Sequence, residues 1–124
     1  MPFDWTDYTR LADELSKRGD EASLRTAISR LYYSVFHEAR DYLLAEGIAL
    51  STAESSHKVV WNAYRDMGKS CKSVGENGHR LHDYRRKADY ERQVLDIRQL
   101  VGATFIIARN IQTYLEQCKR SRLG

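Results

Sequence analysis

Proline is almost absent from this chain: Pro2 is the only one in 124 residues. Past that position no pyrrolidine ring removes a backbone donor or clashes with a preceding helical turn. Strand signals are missing as well, with no alternating β-branched run and no Asn-Gly or Asp-Gly hairpin turn. No apolar run is long, and "VGATFIIA" falls far short of a bilayer span. The N-terminal residues lack the basic, apolar and small-residue succession of a secretory leader, so a cytoplasmic protein with no membrane partner is expected. Cys71 and Cys118 form no CxxC, and reduced thiols are expected here rather than a disulfide or a metal site. There is no HExxH, and no Glu-x-x-His motif occurs twice as a di-iron bundle would need, so neither metal nor cofactor is expected.

What remains is a charged, helix-permissive chain of one-domain size, and residues 1–124 are taken as a single domain. Charged residues make up 30% and hydrophobic residues 42%, a balance that can bury a core rather than stay disordered. The net charge of +3 is small and the two signs are interspersed, which permits a phosphate-bearing partner without supplying a basic tail. The one basic cluster, Lys119 to Arg122, suits the C-terminal end of a helix dipole.

Capping signals divide the chain. "DWTDYTRLADELSKRG" opens at Asp4 and stops at Gly19, and "DEASLRTAISRLYYSVFHEARDYLLAEG" opens at Asp20 and stops at Gly47. "STAESSHKVVWNAYRDMG" predicts a third helix ending near Gly68, and "KSCKSVGENG" reads as a loop. A fourth helix is expected over "HRLHDYRRKADY", with "ERQVL" as an extended linker. The last helix begins at Asp96, and Ile97, Leu100, Val101, Thr104, Ile107, Ala108, Ile111, Leu115 and Cys118 form one apolar stripe along it. The expected fold class is all-α, an antiparallel bundle of four to five helices.

The second helix has two distinct faces. Leu24, Ile28, Leu31, Val35, Ala39 and Tyr42 fall on one side of the wheel, flanked by Tyr32 and Leu43. Nearly opposite, three- and four-residue steps stack Arg30, Tyr33, His37 and Arg40, bordered by Phe36 and Leu44. Such a stripe is either a solvated face whose arginines pair with Glu38 or Asp41, or a contact surface for a partner. On the fourth helix Leu81, Tyr84 and Ala88 suit the core, while His82, Arg85 and Asp89 form another column in which Asp89 can pair with Arg85 or Arg86. Imidazole and guanidinium groups in this density also suit chemistry at phosphorus, which needs a proton carrier near neutrality and a fixed positive charge.

"AISRLYYSVFHEARDYLLAEGI", "SSHKVV" and "YRRKADYE", in that order, resemble the small stand-alone prokaryotic branch of the HEPN superfamily. The shared pattern is carried here by Arg30, Tyr32, Tyr33, Phe36 and His37, then His57, then Arg85, Ala88, Asp89 and Tyr90, within residues 20–118. The resemblance implies a helical bundle that forms a homodimer with functional groups lining the shared groove. It implies one of two activities. One is a metal-independent endoribonuclease of a toxin–antitoxin or defence module. The other is a non-catalytic dimer that binds RNA, a nucleotide or a nucleotidyltransferase-like protein. Nuclease members carry an arginine followed after four to six residues by histidine on a late helix. Here Tyr90 stands at that distance from Arg85, and the comparable pair is Arg30 with His37. In the nuclease reading His37 is the general base, His57 or His82 a second proton carrier, and Arg30 and Arg85 the phosphate clamps. In the binding reading the same arginines meet phosphate while Tyr33 and Tyr90 stack on bases, with Arg40, His57, His82 and Asp89 completing the surface.

Overall fold

The computed structural model describes residues 2–51 and 56–123, and within them the chain forms five α-helices and no strand. They are α1 (Thr6–Arg18), α2 (Glu21–Ala45), α3 (Ser56–Arg65), α4 (Lys69–Tyr90) and α5 (Ile97–Leu123). Most of the Ser/Thr-rich stretch expected to open the third helix lies outside the described residues.

Local chemistry sets the ends of the first two helices. Asp4 Oδ1 accepts from the Thr6 backbone N–H at 2.9 Å, just ahead of α1. The Asp20 carboxylate accepts from the Ser23 N–H at 3.0 Å and so satisfies a donor that α2 leaves open. Between them Gly19, at φ 82°, takes the left-handed turn that ends α1 and reverses the chain.

Contacts between helices give the topology. Thr9 on α1 meets Ser34 on α2 through their hydroxyls at 2.8 Å, while Trp5 ahead of α1 reaches His37 and Asp41 farther along α2. Those two helices are therefore antiparallel. Helix α4 also runs against α2: Tyr32 lies beside His82, and Arg25 reaches the end of α4. Helix α5 returns along α4, so that Cys118 near its end meets Cys71 near the start of α4. The wheel reading of the core holds for most positions, although Tyr42, Ile97 and Leu100 are only half-buried and Phe36, placed on the border of the other face, is buried. Leu24, Ile28, Leu31, Val35 and Ala39 are buried, as are Val101, Thr104, Ile107, Ala108, Ile111, Leu115 and Cys118. Trp61, Tyr32 and Tyr64 are the bulkiest side chains sealed inside, each with 0% exposure, and all three find polar partners for their N–H or O–H.

Two expectations need correcting. "KSCKSVGENG" is helix, the first part of α4, not a loop. Its glycines mark close packing instead of a turn, because a Cβ at Gly75 would fall 2.5 Å from the Trp61 carbonyl oxygen. Cys71 and Cys118 are joined in a disulfide, with Cα atoms 4.8 Å apart. A separation of 47 residues hid that pairing; only the antiparallel course of α4 and α5 brings the two thiols together.

The linker "ERQVL" leaves α4 extended at Glu91 but then bends at Arg92 and turns at Leu95, and its start is tied down. Arg25 donates to the carbonyls of Ala88 at 2.9 Å, Glu91 at 2.5 Å and Arg92 at 3.1 Å. A guanidinium placed on the last carbonyls of α4 complements the helix dipole and holds the end of that helix, with Asp89 and Tyr90, against α2.

Candidate functional site

Tyr33 is the hub. Its ring centroid lies 5.2 Å from the Arg30 guanidinium and 5.5 Å from that of Arg85. The rings of His37 and His57 stand 5.8 Å and 5.9 Å away. Side chains from α2, α3 and α4 thus gather around one phenol, although the residues are scattered through the sequence. Arg30 sits between two rings, with Tyr8 of α1 on its other side at 4.7 Å. That placement replaces the surface ion pair considered for it. His37 is stacked under Trp5, at 3.8 Å between centroids, and Trp5 Nε1 donates to Asp41 at 2.8 Å.

Arg85 forms the inner wall. It is buried, and its guanidinium lies near the rings of Tyr32, Tyr33 and Tyr90. Nη1 donates to Asp89 at 3.3 Å, and Nη2 points at His82 Nε2, 3.4 Å away. Nε is buried and has no hydrogen-bond partner among the described residues. Asp89 also accepts from Ser29 at 3.3 Å, and Ser29 accepts in turn from Arg30 at 3.4 Å, so the two arginines are linked through a hydroxyl and a carboxylate. Tyr90 is 76% exposed and reaches outward from Arg85. It also lines a hollow of about 670 Å³ along α4, together with Arg80, Tyr84, Arg86 and Lys87 and the acids Asp83 and Glu91.

Behind Arg85 the polar groups form a chain. Trp61 Nε1 donates to the Tyr32 hydroxyl at 3.0 Å, and that hydroxyl lies 2.7 Å from His57 Nδ1. The His57 and His82 rings are stacked 4.7 Å apart at 13°. Nine residues singled out in the sequence therefore sort plainly. Arg30, Tyr33, His37, His57, His82, Arg85, Asp89 and Tyr90 form one continuous group. Arg40 stands apart: it follows His37 along α2, and its link to the group is the positive charge it adds near that imidazole.

Sequence reasoning overlooked Trp61, Ser29, Trp5 and Tyr8, and it named Tyr32 in the shared pattern without giving its hydroxyl a role. Tyr32 looked like a flank of the core, and nothing local shows that its hydroxyl bridges Trp61 to His57. The aromatic cluster in "FDWTDY" was the available sign for Trp5 and Tyr8, since three rings near a helix start need a surface to cover.

The electrostatics run one way. Burial lowers the pKa of His37, and Arg40 and Arg30 lower it further against the pull of Asp41. Burial lowers His57 too, joined by Arg85 and His37. Burial, His57, Arg85 and Arg86 push His82 down to about 4 despite Asp83. Burial works against the charge on Arg85, but Tyr33 and the bonded Asp89 outweigh it and its pKa rises. The site at neutral pH is a fixed guanidinium among uncharged imidazoles.

These shifts predict how stability follows pH. An unfolded histidine takes up its proton near pH 6.5, about where the folded ones still refuse it, so the unfolded chain binds more protons as the pH falls. The stability of the folded state should be full above that range and decline as pH drops through it toward about 4, the His82 value. His79 is lowered as well, chiefly by burial, and adds to the effect. Glu38, raised by burial, opposes it, but one carboxyl stands against four imidazoles. Urea midpoints compared at about pH 7 and about pH 5 should fall at the lower value; an unchanged or higher midpoint would contradict the assignment.

Among the described residues no helix is long and apolar enough to cross a membrane. No protein-family model matches the chain, and no solved structure matches it. The chain is 28% identical over 67 residues to a UPF0332 protein of Thermotoga maritima, a match that covers 54% of this chain. It spans about half the length, 51%, of that curated relative. The described residues thus form five helices, in a chain distantly similar to a UPF0332 protein.

Proposed function

We propose that this chain is a HEPN-like domain that binds the phosphates and bases of RNA or a nucleotide at the Tyr33–Arg85 group, without cleaving them. One observation carries the reading: Arg85 is a buried guanidinium, its Nε without a partner among the described residues, set beside an exposed tyrosine ring. An oxyanion beside Tyr90 would meet that guanidinium, and a base would find the Tyr90 face open to stack on. Arg30, held between Tyr8 and Tyr33, supplies a second cation. The order of the three sequence motifs supports the family reading, and the homodimer that the family implies would place two such groups along one groove. A nucleotidyltransferase-like protein is the alternative occupant of that groove.

Cleavage is the second reading, favoured by the presence of His37 and Arg30 on the same ring as Arg85. Against it, a general base works best with a pKa near the operating pH, and every imidazole here is pushed below its usual value. A toxin–antitoxin or defence role belongs with that second reading.

Fluorescence anisotropy with labelled single-stranded RNA in EDTA tests both. Tyr90→Ala, exposed and harmless to folding, should weaken binding roughly five-fold or more, the loss of one stacked base. Arg85→Ala should weaken it roughly ten-fold or more. Intact RNA throughout is the expected result. Cleavage in EDTA that disappears in His37→Ala would move the protein to the nuclease class, and equal affinity in both binding-site variants would remove the proposal.

A further inference from the structure

The hydrogen-bond partners of His57 and His82 determine where their protons sit. An indole N–H only donates, so the Tyr32 oxygen accepts from Trp61 Nε1. Tyr32 is fully buried, and its own proton needs an acceptor inside the protein. His57 Nδ1, 2.7 Å away, is that acceptor, which leaves the His57 proton on Nε2. A guanidinium likewise has donors and no acceptor, so His82 Nε2, facing Arg85 Nη2, must carry a lone pair and the His82 proton must sit on Nδ1.

We propose that His57 and His82 form a locked pair of neutral donors, with Tyr32 and Arg85 as the positioning residues that occupy their lone pairs. Neither imidazole then has a free lone pair to take a proton from a ribose hydroxyl. Each offers only an N–H, and the pair stacks at 4.7 Å without charge repulsion. The pair adds two neutral N–H donors to the guanidiniums of Arg85 and Arg30, a set that selects a ligand rich in acceptors, such as a phosphodiester. That consequence rests on the binding reading above; the tautomers do not.

Among the described residues the neighbours of both imidazoles mostly oppose protonation. His57 faces Tyr32, Tyr33 and His37 on α2 and His82 and Arg85 on α4. His82 faces Tyr32 on α2, His57 on α3, and Arg85 and Arg86 on its own helix, and Asp83 acts against these. Ligand affinity through this pair should accordingly be insensitive to pH across neutrality.

Long-range ¹H–¹⁵N spectra of the imidazoles read the proposal directly. At neutral pH the expected pattern is a neutral His57 protonated at Nε2 and a neutral His82 protonated at Nδ1. A proton on His57 Nδ1 or on His82 Nε2, or an imidazolium at either position, would overturn it, whether or not RNA binds. Tyr32→Phe should release the His57 tautomer, giving a mixture; an unchanged His57 spectrum in that folded variant would also overturn the lock. Should that variant fail to fold, the wild-type spectrum decides alone. With a labelled oligouridylate as probe, whose diesters do not titrate here, affinity should change less than about two-fold between about pH 6 and about pH 8. A loss of roughly ten-fold over that interval would mean that a histidine cation takes part. Complete absence of oligouridylate binding would sink the ligand reading and leave the tautomers to the spectra.

Discussion

Replacing Gly78 with alanine should destabilise this protein by about 3 kcal/mol, near the upper end for forcing atoms into a packed core. A Cβ at that position would overlap the Trp61 indole at Cε3 and Cδ2, far inside van der Waals contact. The indole cannot swing clear, because it is fully buried and its Nε1 is bonded to Tyr32. Helix α4 must therefore move off α3, or the ring must leave its rotamer and its hydrogen bond. For a chain of this size the melting temperature should fall by roughly 10 °C. The disturbance also travels: Tyr32 freed from Trp61 no longer holds His57 in place. Gly102 is the control. Nothing stands within 4 Å of a Cβ there, on the exposed side of α5, so Gly102→Ala should stabilise by about 0.5–1 kcal/mol by removing backbone freedom from the unfolded chain. Thermal melts of the two variants should shift in opposite directions, and equal shifts would refute the packing account.

Loss of the Cys71–Cys118 bond should cost more still. Closing a loop of 47 residues removes denatured-chain entropy worth about 4 kcal/mol in the loop-closure model. Both cysteines are 0% exposed, so a reductant should act on the unfolded chain or during opening and not on the intact protein. The paired Cys71→Ser and Cys118→Ser variant, unfolded in urea beside the oxidised wild type, should show a midpoint lower by that energy divided by the common slope. A difference under about 1 kcal/mol would mean that the cross-link constrains little. RNA binding should survive at temperatures where the variant remains folded. The bond joins the first turn of α4 to the last turns of α5, whereas Arg85 lies at the far end of α4, held by Asp89 and by the Arg25 clamp on its final carbonyls.

Much of the architecture could be read locally. Helix ends at Asp20, Gly19 and Gly47 depend on side-chain capping and a positive φ, both properties of a few adjacent residues. The same holds for the apolar stripe of α5. The misreading of "KSCKSVGENG" has the converse cause: glycine signals a turn by its own freedom, but here its missing side chain serves a neighbour that is distant in sequence. Trp61 needed room, and no local pattern records that.

Periodicity and local capping determined that this chain would be helical, how its first two helices would be bounded, and most of the face of α2 and α5 that would be buried, because those follow from neighbours a few residues apart. Tertiary structure decided the rest. It chose Tyr33 as the hub of the charged face, set Arg40 outside the group, and paired two cysteines that looked unrelated. It also fixed the protons on His57 and His82, since those depend on donors contributed by α2, α3 and α4 across the bundle. Contacts of that kind exist only once the helices have packed at a definite angle and register.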